Sequence, residues 1–241
     1  MKLTISKGNE KFVMNFNTIT QLGGTNIPLK TYVLDSICKH FSSEKYKEYE
    51  ETFINNVEID GEVPGRKQWE CYRISTFEDI ITLIQMSKSS ILGKCLKEYV
   101  GSFDCQNELL QIDGILINIF DRLNKSLLGS DIIQFQYSQE DLFSMIQQTS
   151  VRTVDDKNIH ELEIPELFNV FLEVVSKHQE LIPEKRLYVF ENIDHILSKK
   201  EYTEIVSKCI ELCKETNLWF IFLVPWMNIY SLTRKLLRIL M

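Results

Sequence analysis

Gly24, Lys30 and Thr31 lie in the stretch LGGTNIPLKT (residues 22–31) at nearly the spacing of a phosphate-binding P-loop, G-x-x-x-x-G-K-[ST]. In such a loop successive backbone N–H groups wrap the phosphates, the lysine reaches the outer ones, and the hydroxyl holds a magnesium ion. Here Leu29 occupies the place of the second glycine, and Pro28 removes one N–H donor while fixing its own φ. Lys30 and Thr31 still have the reach for a phosphate and a metal ion, but without the cradle the expected affinity is small. The matching carboxylate would end an apolar strand, and LYVFENID supplies Glu191 and Asn192 at that end, with Asp194 beyond it. Glu191 is one methylene longer than the aspartate such a site normally uses. Both halves therefore read as a frame kept without its chemistry. Lys30 is then expected to face solvent or a partner, and Glu191 to be a strand-end carboxylate.

No other stretch carries a stronger enzymatic signal. The six cysteines are scattered without a C-x-x-C pair, and the four histidines show no ligand spacing, so reduced core thiols and no metal site are expected from them. There is no G-x-S-x-G. The carboxylates of DDKNIHELEIPE (residues 155–166) suit a solvated face and a helix start rather than an acid/base pair.

The elements that must position these residues follow from periodicity. KLTIS, FVMNFN and TITQL alternate as short strands. PLKTYVLDSICKHF then places Leu29, Val33, Leu34, Ile37 and Cys38 at helical spacing behind Pro28, giving strand, loop, helix. Two strands are expected near Phe53–Ile59 and Trp69–Ile74, around the turn-rich DGEVPGRK. From Thr76 the pattern turns helical: TFEDIITLIQMS with Thr76 as N-cap, SSILGKCLKEYV, and a long stretch with Leu109, Ile112, Leu116, Ile119, Phe120, Leu123 and Leu127 on one face. Helices continue through SQEDLFSMIQQ and IPELFNVFLEVVSKHQELI, with a short strand expected at SVRTV between them. RLYVFE and LWFIFLV, apolar throughout, suit parallel strands covered on both faces, with a Ser198-capped helix between them. The expected fold class is α/β, with a head formed by residues 1–75 plus 185–241 and a helical leg insertion over 76–184.

With 44% hydrophobic and 25% charged residues the composition is that of a globular protein. The longest apolar run is too short to span a bilayer and no signal segment opens the chain, so a cytoplasmic protein without membrane contact is expected. A formal charge of −7 counts mildly against nucleic acid binding, although a channel shared by several subunits can gather a few basic groups per chain.

The order of elements, a damaged P-loop body interrupted by helices and closed by KRLYVFENIDHILSKKEYTEIVSKCIELCKETNLWFIFLVP (residues 185–225), resembles the Csn2 family, the adaptation proteins of type II-A CRISPR systems. The resemblance implies a RecA-like head that has lost nucleotide hydrolysis, a helical leg and a ring-shaped homotetramer. It also implies threading onto double-stranded DNA ends, alongside the spacer integrase and the effector nuclease, during spacer acquisition. Family members bind calcium through clustered carboxylates, for which the nearest match here is IQFQYSQED. Gln134, Gln136, Ser138 and Gln139 replace expected acids and leave only Glu140 and Asp141, so a calcium site is expected to be weak or absent. DNA contacts are assigned from charge alone: Arg66, Lys67 and Arg73 form one basic cluster, and Arg234, Lys235 and Arg238 a second. Two other classes remain open, a weak nucleotide-binding switch or NTPase and an interaction scaffold without DNA affinity.

Overall fold

The computed structural model of the chain describes residues 1–7, 10–41, 56–65, 68–100, 105–125, 136, 138, 144 and 150–224. Strands β1 (Lys2–Lys7), β2 (Glu10–Asn15) and β4 (Asn56–Ile59) form an antiparallel sheet in the order β2-β1-β4. Their period-two pattern turns Leu3, Ile5 and Val57 to one buried face. Strands β3 (Ile19–Leu22), β5 (Glu70–Ile74), β6 (Arg186–Phe190) and β7 (Leu218–Leu223) form a second, fully parallel sheet in the order β3-β7-β6-β5.

Both faces of the parallel sheet are covered, which is why β6 and most of β7 are buried without alternation, and why all their residues but Arg186 are apolar. Helix α1 (Ile27–Phe41) lies between the two sheets. Its Val33, Leu34, Ile37 and Phe41 meet Leu187 and Val189 of β6, Ile221 and Leu223 of β7, and Leu3, Ile5 and Val57 of the antiparallel sheet. On the opposite face Tyr188, Phe190, Phe220 and Phe222 stack across β6 and β7, with Phe190 and Phe222 5.2 Å apart and 7° from parallel. Each buried aromatic of this kind contributes about 1.5–3 kcal/mol, so this row anchors the core.

Helices α2 (Phe77–Ile84), α3 (Ile91–Val100), α5 (Ile164–Leu181) and α7 (Lys199–Lys214) pack over that row. Between α5 and α7 lies the four-residue α6 (Ile193–Ile196). Thr76 and Ser198 cap α2 and α7 in full capping boxes with Asp79 and Glu201, as their spacing requires. Gly93 sits where α3 meets its own entry turn, and a Cβ there would lie 1.7 Å from the Ser87 carbonyl oxygen. Helices α2, α3 and α5 share one core with the parallel sheet. The expected long helix forms as α4 (Gln106–Lys125), yet among its residues only Leu109 is buried, while Ile112 and Ile119 are exposed. The strand expected at SVRTV is not formed: Arg152 makes a single bridge to Asn158 across a tight turn. Three apolar or β-branched residues interrupted by Arg152 and followed at once by two aspartates cannot sustain a ladder. No helix among the described residues is long and apolar enough to cross a membrane.

At the N-terminal ends of β5 and β6 a buried polar cluster fastens the sheet to α5. The Arg186 side chain, 1% exposed, donates from Nε to Glu70 (2.9 Å), from Nη1 to Gln179 Oε1 and the Ile182 carbonyl (both 2.6 Å), and from Nη2 to His178 Nε2 (3.3 Å). Lys94 of α3 pairs with the same Glu70 and donates to the Tyr72 hydroxyl. Arginine only donates, so His178 Nε2 must accept and the ring proton sits on Nδ1, which is buried without a partner.

Burial and the neighbouring Arg186 charge hold the His178 pKa down from 6.5 to about 4. The unfolded chain takes up this proton first, so the contribution of neutral His178 is intact above about pH 6.5 and is lost as pH falls toward 4. Unfolding in urea should show a loss of about 2 kcal/mol between about pH 7 and about pH 5, a slope that His178→Gln flattens. An equal slope in the variant would assign the loss to other groups.

Candidate functional site

In a parallel sheet ligands bind beyond the C-terminal strand ends, and the residues of the near-motif collect there. The loop after β3 runs from Gly23 to Asn26, Glu191 follows β6, and Ser75 follows β5. Gly24 has a φ of 102°, a conformation that favours glycine, and Asn192, directly after Glu191, is left-handed at 55°.

The loop is occupied by its own groups. Asn26 caps α1, its carbonyl accepting from Lys30 N and its Oδ1 accepting from Leu29 N at 3.0 Å. Ile27 N bonds to the Thr25 carbonyl, and Pro28 has no N–H to offer. Lys30 is buried, 6% exposed, and its ammonium donates to the Gly24 carbonyl at 2.7 Å. It is thus neither solvated nor directed at a partner, contrary to the expectation from sequence: folding back over its own loop gives the ammonium an acceptor without a ligand. Thr31 is exposed on α1.

The carboxylate half is closed in the same way. Glu191 takes one oxygen to Arg73 Nη2 at 2.7 Å and the other to the Ser75 hydroxyl at 2.8 Å, while Arg73 Nη1 reaches Asp35 of α1 at 2.7 Å. Burial alone would weaken the Arg73 charge, but the Glu191 and Asp35 carboxylates outweigh it and raise its pKa. The cavity beside Ser75, Phe190 and Glu191 measures about 10 Å³, the space of a single water. A metal ion at Glu191 would have to displace a guanidinium already in place.

Of the residues expected to bind DNA, Arg73 is thus shared between two carboxylates. Arg66, Lys67, Arg234, Lys235 and Arg238 lie outside the described residues, as do Glu140 and Asp141 of the expected calcium segment. Among the described residues no group of three or more His, Cys, Asp or Glu side chains is placed to hold a metal ion. Sequence reasoning passed over Asn26, Asp35 and Ser75. Asn26 carried a usable signal, an N-cap residue type just before a proline-containing first turn. Asp35 and Ser75 carried none, because their partners are distant along the chain.

The fold defines a mixed α/β protein, a parallel sheet covered by helices on both faces and joined through α1 to an antiparallel sheet. A family model for the CRISPR-associated protein Csn2, subfamily St, matches residues 6–233, and the chain belongs to that family. Among solved structures, Stu0660 of Streptococcus thermophilus superposes with a TM-score of 0.78 at 22% identity, over 93% of this chain and 69% of that one. The SMC head domain of Pyrococcus furiosus, solved with an extended coiled coil and bound to the C-terminal domain of ScpA, gives a TM-score of 0.46 at 14% identity, over 93% of this chain and 89% of that one. The SMC head domain of Thermotoga maritima gives 0.41 at 14% identity, over 94% and 89%. Both fall below the level that argues for a shared fold. A search of curated proteins finds no match.

Proposed function

We propose that this Csn2-family chain is a non-enzymatic DNA-binding protein, holding double-stranded DNA ends without sequence preference during spacer acquisition. It acts as a ring-shaped homotetramer in the cytoplasm, alongside the spacer integrase complex and the type II effector nuclease. Family membership over residues 6–233 supports the setting. The observation that carries the non-enzymatic part is Lys30 bonded to the Gly24 carbonyl, with Arg73 bonded to Glu191 across the strand ends. The head is then a RecA-like P-loop body whose nucleotide site has been filled by its own side chains. No cofactor is required, and calcium, if it binds, does so through no more than the remnant Glu140 and Asp141.

ATP and GTP should bind no tighter than about millimolar, worth about 4 kcal/mol, by calorimetry in the presence of magnesium. Lys30→Ala should leave DNA binding unchanged and lower stability by about 1 kcal/mol for the lost hydrogen bond. Steady nucleotide turnover abolished by that substitution would overturn the reading in favour of an NTPase. Solution mass with and without a linear duplex tests the assembly: a tetramer that takes up the duplex is expected, and a monomer at all concentrations would refute the ring.

A further inference from the structure

Six cysteines are free, and two of them meet across elements far apart in sequence. Cys71 of β5 and Cys38 of α1 have their Sγ atoms 3.9 Å apart over a separation of 33 residues, both half-buried. Their neighbours repeat the contact: Asp35 lies one helical turn before Cys38, Arg73 lies two residues after Cys71 on the same side of its strand, and those two form an ion pair at 2.7 Å. Helix α1 and strand β5 are thus joined by two adjacent rungs, one ionic and one made of thiols. Of the other four thiols, Cys95 and Cys209 are buried, Cys105 is half-buried, and Cys213 donates to the Leu218 carbonyl at 3.3 Å.

We propose that Cys38 and Cys71 are an oxidative modification site, closing to an intramolecular disulfide under peroxide and locking α1 onto β5. The proposal is independent of the DNA reading. The sulfurs must approach from 3.9 Å to about 2.05 Å, within the reach of side-chain rotation where the backbones already hold them in contact. The hydrogen bond to Cys38, followed by burial, pushes the Cys71 thiol well up and keeps it protonated. Cys38 attacks one peroxide oxygen, the O–O bond breaks, and a sulfenic acid and one water form. Cys71 sulfur then attacks the Cys38 sulfur, the S–O bond breaks, and the oxygen leaves as a second water carrying the Cys71 proton. Two thiols give up two electrons, and one peroxide molecule accepts them.

Treating the purified full chain with a small excess of hydrogen peroxide should lower its intact mass by two hydrogen atoms. A tryptic digest should then contain TYVLDSICK (residues 31–39) linked to QWECYR (residues 68–73), separable by reductant. Closing a loop of this length should raise the thermal midpoint by about 5–15 °C over the reduced protein. Cys38→Ser and Cys71→Ser should each abolish the linked peptide and the shift, and the wild-type digest decides the matter should either variant fail to fold. Peroxide that oxidises Cys105 or joins separate chains while leaving these two peptides unlinked would overturn the proposal. A linked peptide with no rise in midpoint would overturn the lock.

Discussion

Linear duplex DNA is expected to bind this protein at low salt and to lose on the order of a thousandfold or more in affinity between about 50 and about 200 mM salt. A chain of net charge −7 can bind DNA only by concentrating its few basic groups on the duplex, and a ring does so by presenting each of them four times. Contacts of that kind go to phosphates, so affinity should not depend on sequence. Threading also requires an open end, so a covalently closed circle of the same sequence should not bind. Replacing Arg66 and Lys67 by Ala should reduce the salt slope with the oligomeric state unchanged, and replacing Arg234 and Arg238 should do so separately. Arg73→Ala should change the slope little, because its guanidinium already sits between Asp35 and Glu191. Equal binding to circles and linear fragments would refute threading, and no binding at low salt would assign the protein to the scaffold class.

Arg186→Met should destabilise the fold by about 3–5 kcal/mol, the loss expected when one partner of a buried charge cluster is removed. The substitution preserves much of the volume but strips the ion-pair partner from Glu70 and the donors from Gln179, the Ile182 carbonyl and His178. The Glu70 pKa should move up in the variant. Burial already raises it, and the interactions that outweigh burial and hold it low come from Lys94, Tyr72 and Arg186. Either single change already removes the Arg186–Glu70 contact, so Arg186→Met combined with Glu70→Gln should cost less than the sum of the single changes. A urea midpoint shifted by less than about 1 kcal/mol in Arg186→Met would show that the cluster is not what ties β5 and β6 to α5.

Local structure was legible because its causes are local. Pro28 in the first turn of α1, the Thr76 and Ser198 capping boxes, and the uninterrupted apolar runs of β6 and β7 each act within a few residues, so order and type of element follow from spacing alone. Leu29 in place of the second glycine, and Pro28 in place of an N–H donor, are likewise local departures that the sequence alone displays. What only the tertiary structure decided are the partners across long separations. The folding of Lys30 onto Gly24 depends on how the loop turns. Arg73 finding Glu191, and Cys71 finding Cys38, depend on β5 lying beside β6 and under α1. The split into two sheets, and the sharing of one core by α2, α3 and α5, have the same origin. A strand's period tells which residues share a face, but sheet order and helix placement choose the neighbour, and that choice is made by the burial of the whole core at once.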